Sequence, residues 1–263
     1  EVYLVGGSHA EQYSSALDRL GREMGFKLVP LLRQGCPIEL GDDVTVSPDC
    51  AEWGELVMDR IAEAKPELVI SNTTRPQNEF GHGPDAVPAG YQAFWDELSK
   101  RDIPFLGFRD NPWGFDEDGE PREFDECYVA NEDAVGCGMR FEQVYQPYDP
   151  GAVVLSQYEN MLSLDTAPWF CDTNGDCPVI IGNTMVYRDM HHITNAFADS
   201  AMPMIREALT PFLNGEKVQQ EAPEISPEEA EAALEESPAS PTTGGARRAN
   251  PVPYPNTPEN DPV

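Results

Sequence analysis

Positive charge is scarce in this chain. Its 263 residues include 17 Lys and Arg against 47 Asp and Glu, a formal charge of −30. Such a surface repels a phosphate backbone, which excludes a nucleic-acid binder and disfavours docking on anionic lipid. No apolar run approaches the roughly 18 residues that a membrane-crossing helix needs. No Cys-x-x-Cys knuckle occurs, so structural zinc has no support. Phosphate-binding signatures are missing too, with neither a Walker lysine nor a complete Gly-x-Gly-x-x-Gly. Asp42-Asp43 and Asp116-Glu117-Asp118 are too short for a full calcium loop and read as solvated turns. No metal, no organic cofactor and no internal repeat is expected. Histidine is rare, at four positions: His9, His82, His191 and His192.

What is present begins with enough apolar material for a core, 40% hydrophobic and 9% aromatic residues. Six cysteines fall into three sequence-local pairs, Cys36–Cys50, Cys127–Cys137 and Cys171–Cys177. Six allow 15 pairings; an even count in loop-like surroundings favours these three disulfides and an oxidising, extracytoplasmic compartment. Reduced cytosolic thiols are the alternative. The chain enters a strand almost at once, at Val2-Tyr3-Leu4-Val5, as a fragment cut from something longer would. From Glu221 to Val263 there are nine prolines, nine acidic residues and one aromatic, Tyr254. That composition predicts a disordered acidic tail over 221–263, with a transient helix near Pro227–Glu236, following a folded domain over 1–220.

Within 1–220, strand and helix signals alternate. Strands are expected at Val2–Gly7, Lys27–Leu32, Leu68–Ser71, Ile103–Phe108 and Val179–Ile181. Helices are expected at His9–Phe26, Ala51–Ala64, Ala89–Lys100 and Thr194–Phe212. The alternation predicts a three-layer α/β/α sandwich on a mainly parallel sheet of about five strands. Ligands of open parallel sheets sit beyond the carboxyl ends of the strands. That directs attention to Gly6-Gly7-Ser8-His9, Arg33-Gln34-Gly35, Ser71-Asn72-Thr73, Arg109-Asp110-Asn111 and the segment after Ile181.

Ser8 stands at a strand-to-helix turn behind two glycines, a place that suits a nucleophile whose product is an oxyanion. A helix cap or a phosphate cradle has the same local pattern. Near the other end, Asp189 and His192 are three apart before the closing helix. There one carboxylate can accept from the ring Nδ1 and leave Nε2 to face Ser8. A simple helix cap by Asp189 is the alternative. His191 is expected to point elsewhere, and His9 to support rather than act, because adjacent side chains diverge. His82 reads as a surface-loop residue. Trp113 and Phe115 either stack on a sugar ring or pack in the core. Arg75 either steers an anionic acceptor or pairs on the surface.

Val5-Gly6-Gly7-Ser8-His9-Ala10 together with Asp189-Met190-His191-His192-Ile193-Thr194 resembles the SGNH hydrolase superfamily. The closer resemblance, over about residues 1–215, is to the extracytoplasmic SGNH domains of membrane-bound family-3 acyltransferases. Those open with Gly-Asp-Ser-His-Ala and close with Asp-x-His-His-Leu-Thr. Cys36-Pro37 and Arg109-Asp110-Asn111-Pro112 fit the same group. Two departures stand out: Gly7 replaces the usual Asp, and the superfamily's Gly-x-Asn-Asp block has only Asn72 as its nearest match.

The resemblance implies an SGNH (flavodoxin-like) fold and O-acyl transfer, most simply acetyl transfer, through an acyl-serine on Ser8. His192 and Asp189 complete the implied triad, and the implied oxyanion hole is made by Ser8 N–H, Gly35 N–H and the Asn72 amide; Gly35 as a plain turn residue and Asn72 as a loop cap are the alternatives. It further implies a membrane acyltransferase domain, N-terminal in the full-length protein, that relays the acyl donor. The acceptor is a bacterial envelope glycan or glycolipid, and the location is extracytoplasmic and membrane-tethered. An envelope carbohydrate esterase or deacetylase with the same triad, and a non-catalytic glycan-binding module, are the alternatives.

Overall fold

The computed structural model describes residues 1–77, 83–116 and 119–235. His82, Glu117, Asp118 and the stretch 236–263 lie outside the described residues. Five strands form one all-parallel sheet: β1 (Val2–Gly6), β2 (Leu28–Leu32), β3 (Leu68–Asn72), β4 (Phe105–Phe108) and β5 (Met161–Leu164), in the order β2-β1-β3-β4-β5. The inner strands β1, β3 and β4 are buried throughout, as a sheet covered on both faces requires. The edge strand β2 is half-buried and holds Pro30, whose missing N–H is tolerated at an edge.

Alternate residues of β1 feed two separate cores. Val2 and Leu4 pack with α1 (Ser8–Glu11), α2 (Ser14–Met24) and the paired helices α7 (Asn195–Ser200) and α8 (Met202–Leu213). Tyr3 and Val5 pack on the opposite face with α3 (Pro48–Ala64), α4 (Ala89–Ser99) and α6 (Pro150–Leu155). Between β4 and α6 lies α5 (Phe124–Asn131). The result is the expected three-layer α/β/α sandwich.

The last strand is a correction. Val179–Ile181 does not join the sheet. Ile180–Ile181 pairs antiparallel with Thr184–Met185 in a small separate hairpin. Gly182 and Asn183 turn it with φ of 56° and 62°, the two positive values that a type I′ turn demands. The fifth strand is instead Met161–Leu164, parallel to β4.

Two expected helices are also split. Helix α1 stops at Gln12, whose buried amide bonds the Asn111 side chain (2.7 Å) and the Ile193 N–H (3.0 Å). Helix α2 then runs to Gly25, which closes it at φ 86°. The closing helix divides at Ala201 because Pro203, in the first turn of α8, has no N–H to continue α7. Three disulfides join Cys36 to Cys50, Cys127 to Cys137 and Cys171 to Cys177. A final helix, α9 (Pro227–Glu235), lies against α6: Tyr148 Oη donates to the Glu229 carbonyl (3.4 Å), and Ala233 is buried.

Candidate active site

The turn after β1 fixes the position of Ser8. Gly6 has φ 132°, and a Cβ there would meet Ala10 Cβ at 3.1 Å and Ser71 Oγ at 3.3 Å, so glycine is required. A Cβ on Gly7 would lie 3.3 Å from the Cys36 carbonyl and Pro37 N, because the loop after β2 crosses close above. Cys36–Cys50 ties that loop to the first turn of α3.

Ser8 and His192, 184 positions apart, meet at 2.7 Å between Oγ and Nε2. On the other side of the ring, Nδ1 lies 2.8 Å from Asp189 Oδ2. Asp189 Oδ1 accepts the backbone N–H of His191 (2.9 Å) and His192 (2.7 Å), so its own loop orients it. Partial burial pushes the Asp189 carboxyl up. The hydrogen bonds from the His192 ring and the two backbone N–H groups outweigh that and hold it well below the usual carboxylate range. An ionised Asp189 fixes the proton on Nδ1 and leaves the Nε2 lone pair to accept from the serine hydroxyl.

A second hydrogen-bonded series runs beside the first. His9 Nδ1 lies 2.6 Å from Asp110 Oδ1, and His9 Nε2 lies 2.7 Å from His191 Nδ1. His191 therefore does not point elsewhere; it stacks on Trp113 (4.4 Å between centroids) and enters the site. Trp113 is itself held by a bond from Nε1 to Asp110 Oδ2 (3.1 Å). Asp110 is fully enclosed. Burial pushes its carboxyl up, yet the neighbouring His9 and Arg75 and the bonds from His9 and Trp113 bring it below the ordinary value. Burial, then the adjacent His9 and His192, push His191 down to about 3, so its ring is neutral at pH 7. Sequence reasoning missed this series; its visible trace is that each short motif carries an extra histidine, His9 after Ser8 and His191 before His192.

Ser8, Gly35, Asn72, Arg75, Trp113 and His191 line a common cavity of about 110 Å³ at the carboxyl ends of β1, β2 and β3. Gly35 has φ 73°, which favours glycine. Asn72 ends β3, is 6% exposed, and its Nδ2 is buried without a hydrogen-bond partner. An unbonded buried donor beside a nucleophile-like hydroxyl calls for an explanation.

Other candidates fall elsewhere. Arg109 is a structural residue: 1% exposed, it grips Asp85 with two bonds (2.8 and 2.9 Å) and caps the Gln146 and Tyr148 carbonyls. Phe115 packs against the core, and Asp42 and Asp43 are exposed. Among the described residues, His9, His191 and His192 are the one group with ligand atoms close enough to hold a metal ion. Both nitrogens of His9 and His192, and Nδ1 of His191, are already committed to hydrogen bonds, so a metal would have to break them. No described helix is long and apolar enough to cross a membrane.

A parallel α/β sheet that delivers a serine, from the end of its first strand, to a histidine–aspartate pair defines an SGNH-type domain. The chain belongs to the family of SGNH domains fused to AT3 domains, whose sequence profile matches residues 1–207. Among solved structures it is similar to the periplasmic domain of a lipopolysaccharide acetyltransferase of Salmonella ser. Paratyphi A. That match has a TM-score of 0.56 and 11% sequence identity, and covers 80% of this chain and 83% of that one. At that identity the likeness is one of fold. No curated protein matches the chain.

Proposed function

We propose that this domain is a serine O-acyltransferase, transferring an acetyl group to a glycan or glycolipid of the bacterial envelope. The observation that carries the reading is the unbroken Ser8–His192–Asp189 alignment. The proposed mechanism begins when Ser8 Oγ passes its proton to His192 Nε2 and attacks the acyl carbonyl. The tetrahedral oxyanion accepts from the Asn72 amide, whose Nδ2 has no other partner, and from the N–H groups of Ser8 and Gly35. His192 protonates the departing group and leaves an acyl-serine. A sugar hydroxyl then attacks, gives its proton to His192, and the proton returns to Ser8 Oγ. The cavity of about 110 Å³ suits a short acyl group.

Family membership supports a membrane AT3 domain as the source of the acyl group, and the three disulfides support an extracytoplasmic location. An esterase would use the same groups with water as acceptor. The test is acetyl release from p-nitrophenyl acetate by the wild type, Ser8→Ala and His192→Ala, with and without a glycan. Turnover lost in both variants, with acetylated glycan formed by the wild type, supports the reading. Free acetate as the sole product supports an esterase, and equal background in all three proteins defeats both.

A further inference from the structure

Arg75 stands apart from every other described arginine. Each of the others reaches a carboxylate or a backbone carbonyl. The guanidinium of Arg75 makes no hydrogen bond or ion pair among the described residues, in a chain where acidic groups outnumber basic ones 47 to 17. The nearby carboxylate of Asp110 is already engaged by His9, the Asn111 N–H and Trp113. Arg75 is nonetheless half-buried and lines the cavity that holds Ser8.

The position is built. The Arg75 backbone pairs with Ala86 in a short antiparallel ladder, and the neighbouring Asp85 is gripped by the buried Arg109. Its guanidinium carbon lies 5.7 Å from the Trp113 ring centre, and Trp113 is fixed by Asp110 and His191. A guanidinium held over an aromatic ring keeps its fork of N–H donors in one plane, a geometry that matches carboxylate and phosphate oxygens. The field of a protein at −30 repels an anionic ligand, and Arg75, although its charge acts on the neighbouring Asp110, is the one lysine or arginine lining this cavity among the described residues and brings N–H donors that no described group accepts.

We infer that Arg75 is the specificity residue for an oxyanion, a carboxylate or phosphate, carried by the acyl acceptor close to the hydroxyl that is acylated. That the anion is carried by an acyl acceptor rests on the transferase reading above; the anion site itself does not. Binding is therefore measured in a Ser8→Ala background, where turnover plays no part. Three probes are titrated calorimetrically: a neutral disaccharide, a uronic-acid disaccharide and a hexose phosphate.

At least one charged probe is expected to bind tenfold or more tightly than the neutral one, and the tighter of the two identifies the anion. Arg75→Gln removes that preference, and Arg75→Lys, with the charge but not the fork, keeps part of it. Equal binding of charged and neutral probes overturns the inference, as does a preference that survives Arg75→Gln at unchanged melting temperature. With the wild-type serine, the KM for a charged acceptor rises about tenfold in Arg75→Gln. A binding preference without any acyl transfer defeats the transferase reading alone.

Discussion

Ser8 and His9 on one segment face His192 and His191 on the other, so two hydrogen bonds cross the site as neighbouring rungs. One rung holds the proposed nucleophile, and the other, anchored on buried Asp110, sets the spacing between the segments. Asn72 separates chemistry from stability. Its Nδ2 bonds nothing, so Asn72→Ala is expected to lower kcat by about 10²–10³ while the melting temperature barely moves. A comparable fall in both quantities would make Asn72 a structural residue.

His191 carries a pH signature. Its ring titrates near 6.5 when unfolded and is pushed down to about 3 by burial and the adjacent histidines. Below about pH 6.5 the unfolded chain binds a proton that the folded chain refuses. The stability of the neutral ring is thus whole above 6.5 and is lost as pH falls toward 3. Melting curves from pH 7 to 4 should fall more steeply for the wild type than for His191→Gln; parallel curves would refute the assignment.

Elements show where the sequence is legible and where it is not. Strands β1, β3 and β4 announce themselves as buried apolar runs between helical patterns. β5 does not, because its four residues include Ser163, which is buried through a bond to Asp149 (2.6 Å) rather than through an apolar side chain. Val179–Ile181 reads as the last strand of the main sheet because valine and isoleucine favour strands, but the Gly182-Asn183 dipeptide turns Ile180–Ile181 back on Thr184–Met185 in a separate hairpin. The end motifs named Ser8, Asp189 and His192, and the fold sets them in line. The Asp110–His9–His191 series joins segments 101 and 182 positions apart, and no local spacing encodes such a meeting.

Element-level dependence follows. Arg109 bridges the ends of several segments, and Arg109→Met leaves Asp85, 2% exposed, without its cation. The expected loss is about 3–5 kcal/mol in urea unfolding, and a loss under 1 kcal/mol would mean that the pair contributes little. Removing Cys36–Cys50 by double Ser substitution frees the loop that carries Gly35. Turnover should then fall about tenfold or more, whereas the same change at Cys127–Cys137 should lower the melting temperature and spare kcat.

At the scale of the whole molecule, the two ends of the site rest on different physics. Ser8 and Asn72 issue from a sheet buried on both faces, with apolar cores above and below. Asp189 and His192 issue from a stretch of short hairpins and turns after β5. Its regular pairing is short: Asp176–Cys177 with Met139–Arg140 from before β5, Ile180–Ile181 with Thr184–Met185, and the single bridge of Tyr187 with Ile193. Cys171–Cys177 stitches that stretch, and Cys127–Cys137 stitches the segment before β5 against which it pairs. Each disulfide of a small domain is commonly worth about 2–5 kcal/mol, so reduction should release this half before the sheet. Under graded reductant, turnover and the near-ultraviolet signal are expected to disappear while far-ultraviolet helix and strand signals persist. Simultaneous loss of all three would instead show one cooperative unit, in which the parallel sheet depends on the disulfides as much as the histidine loop does.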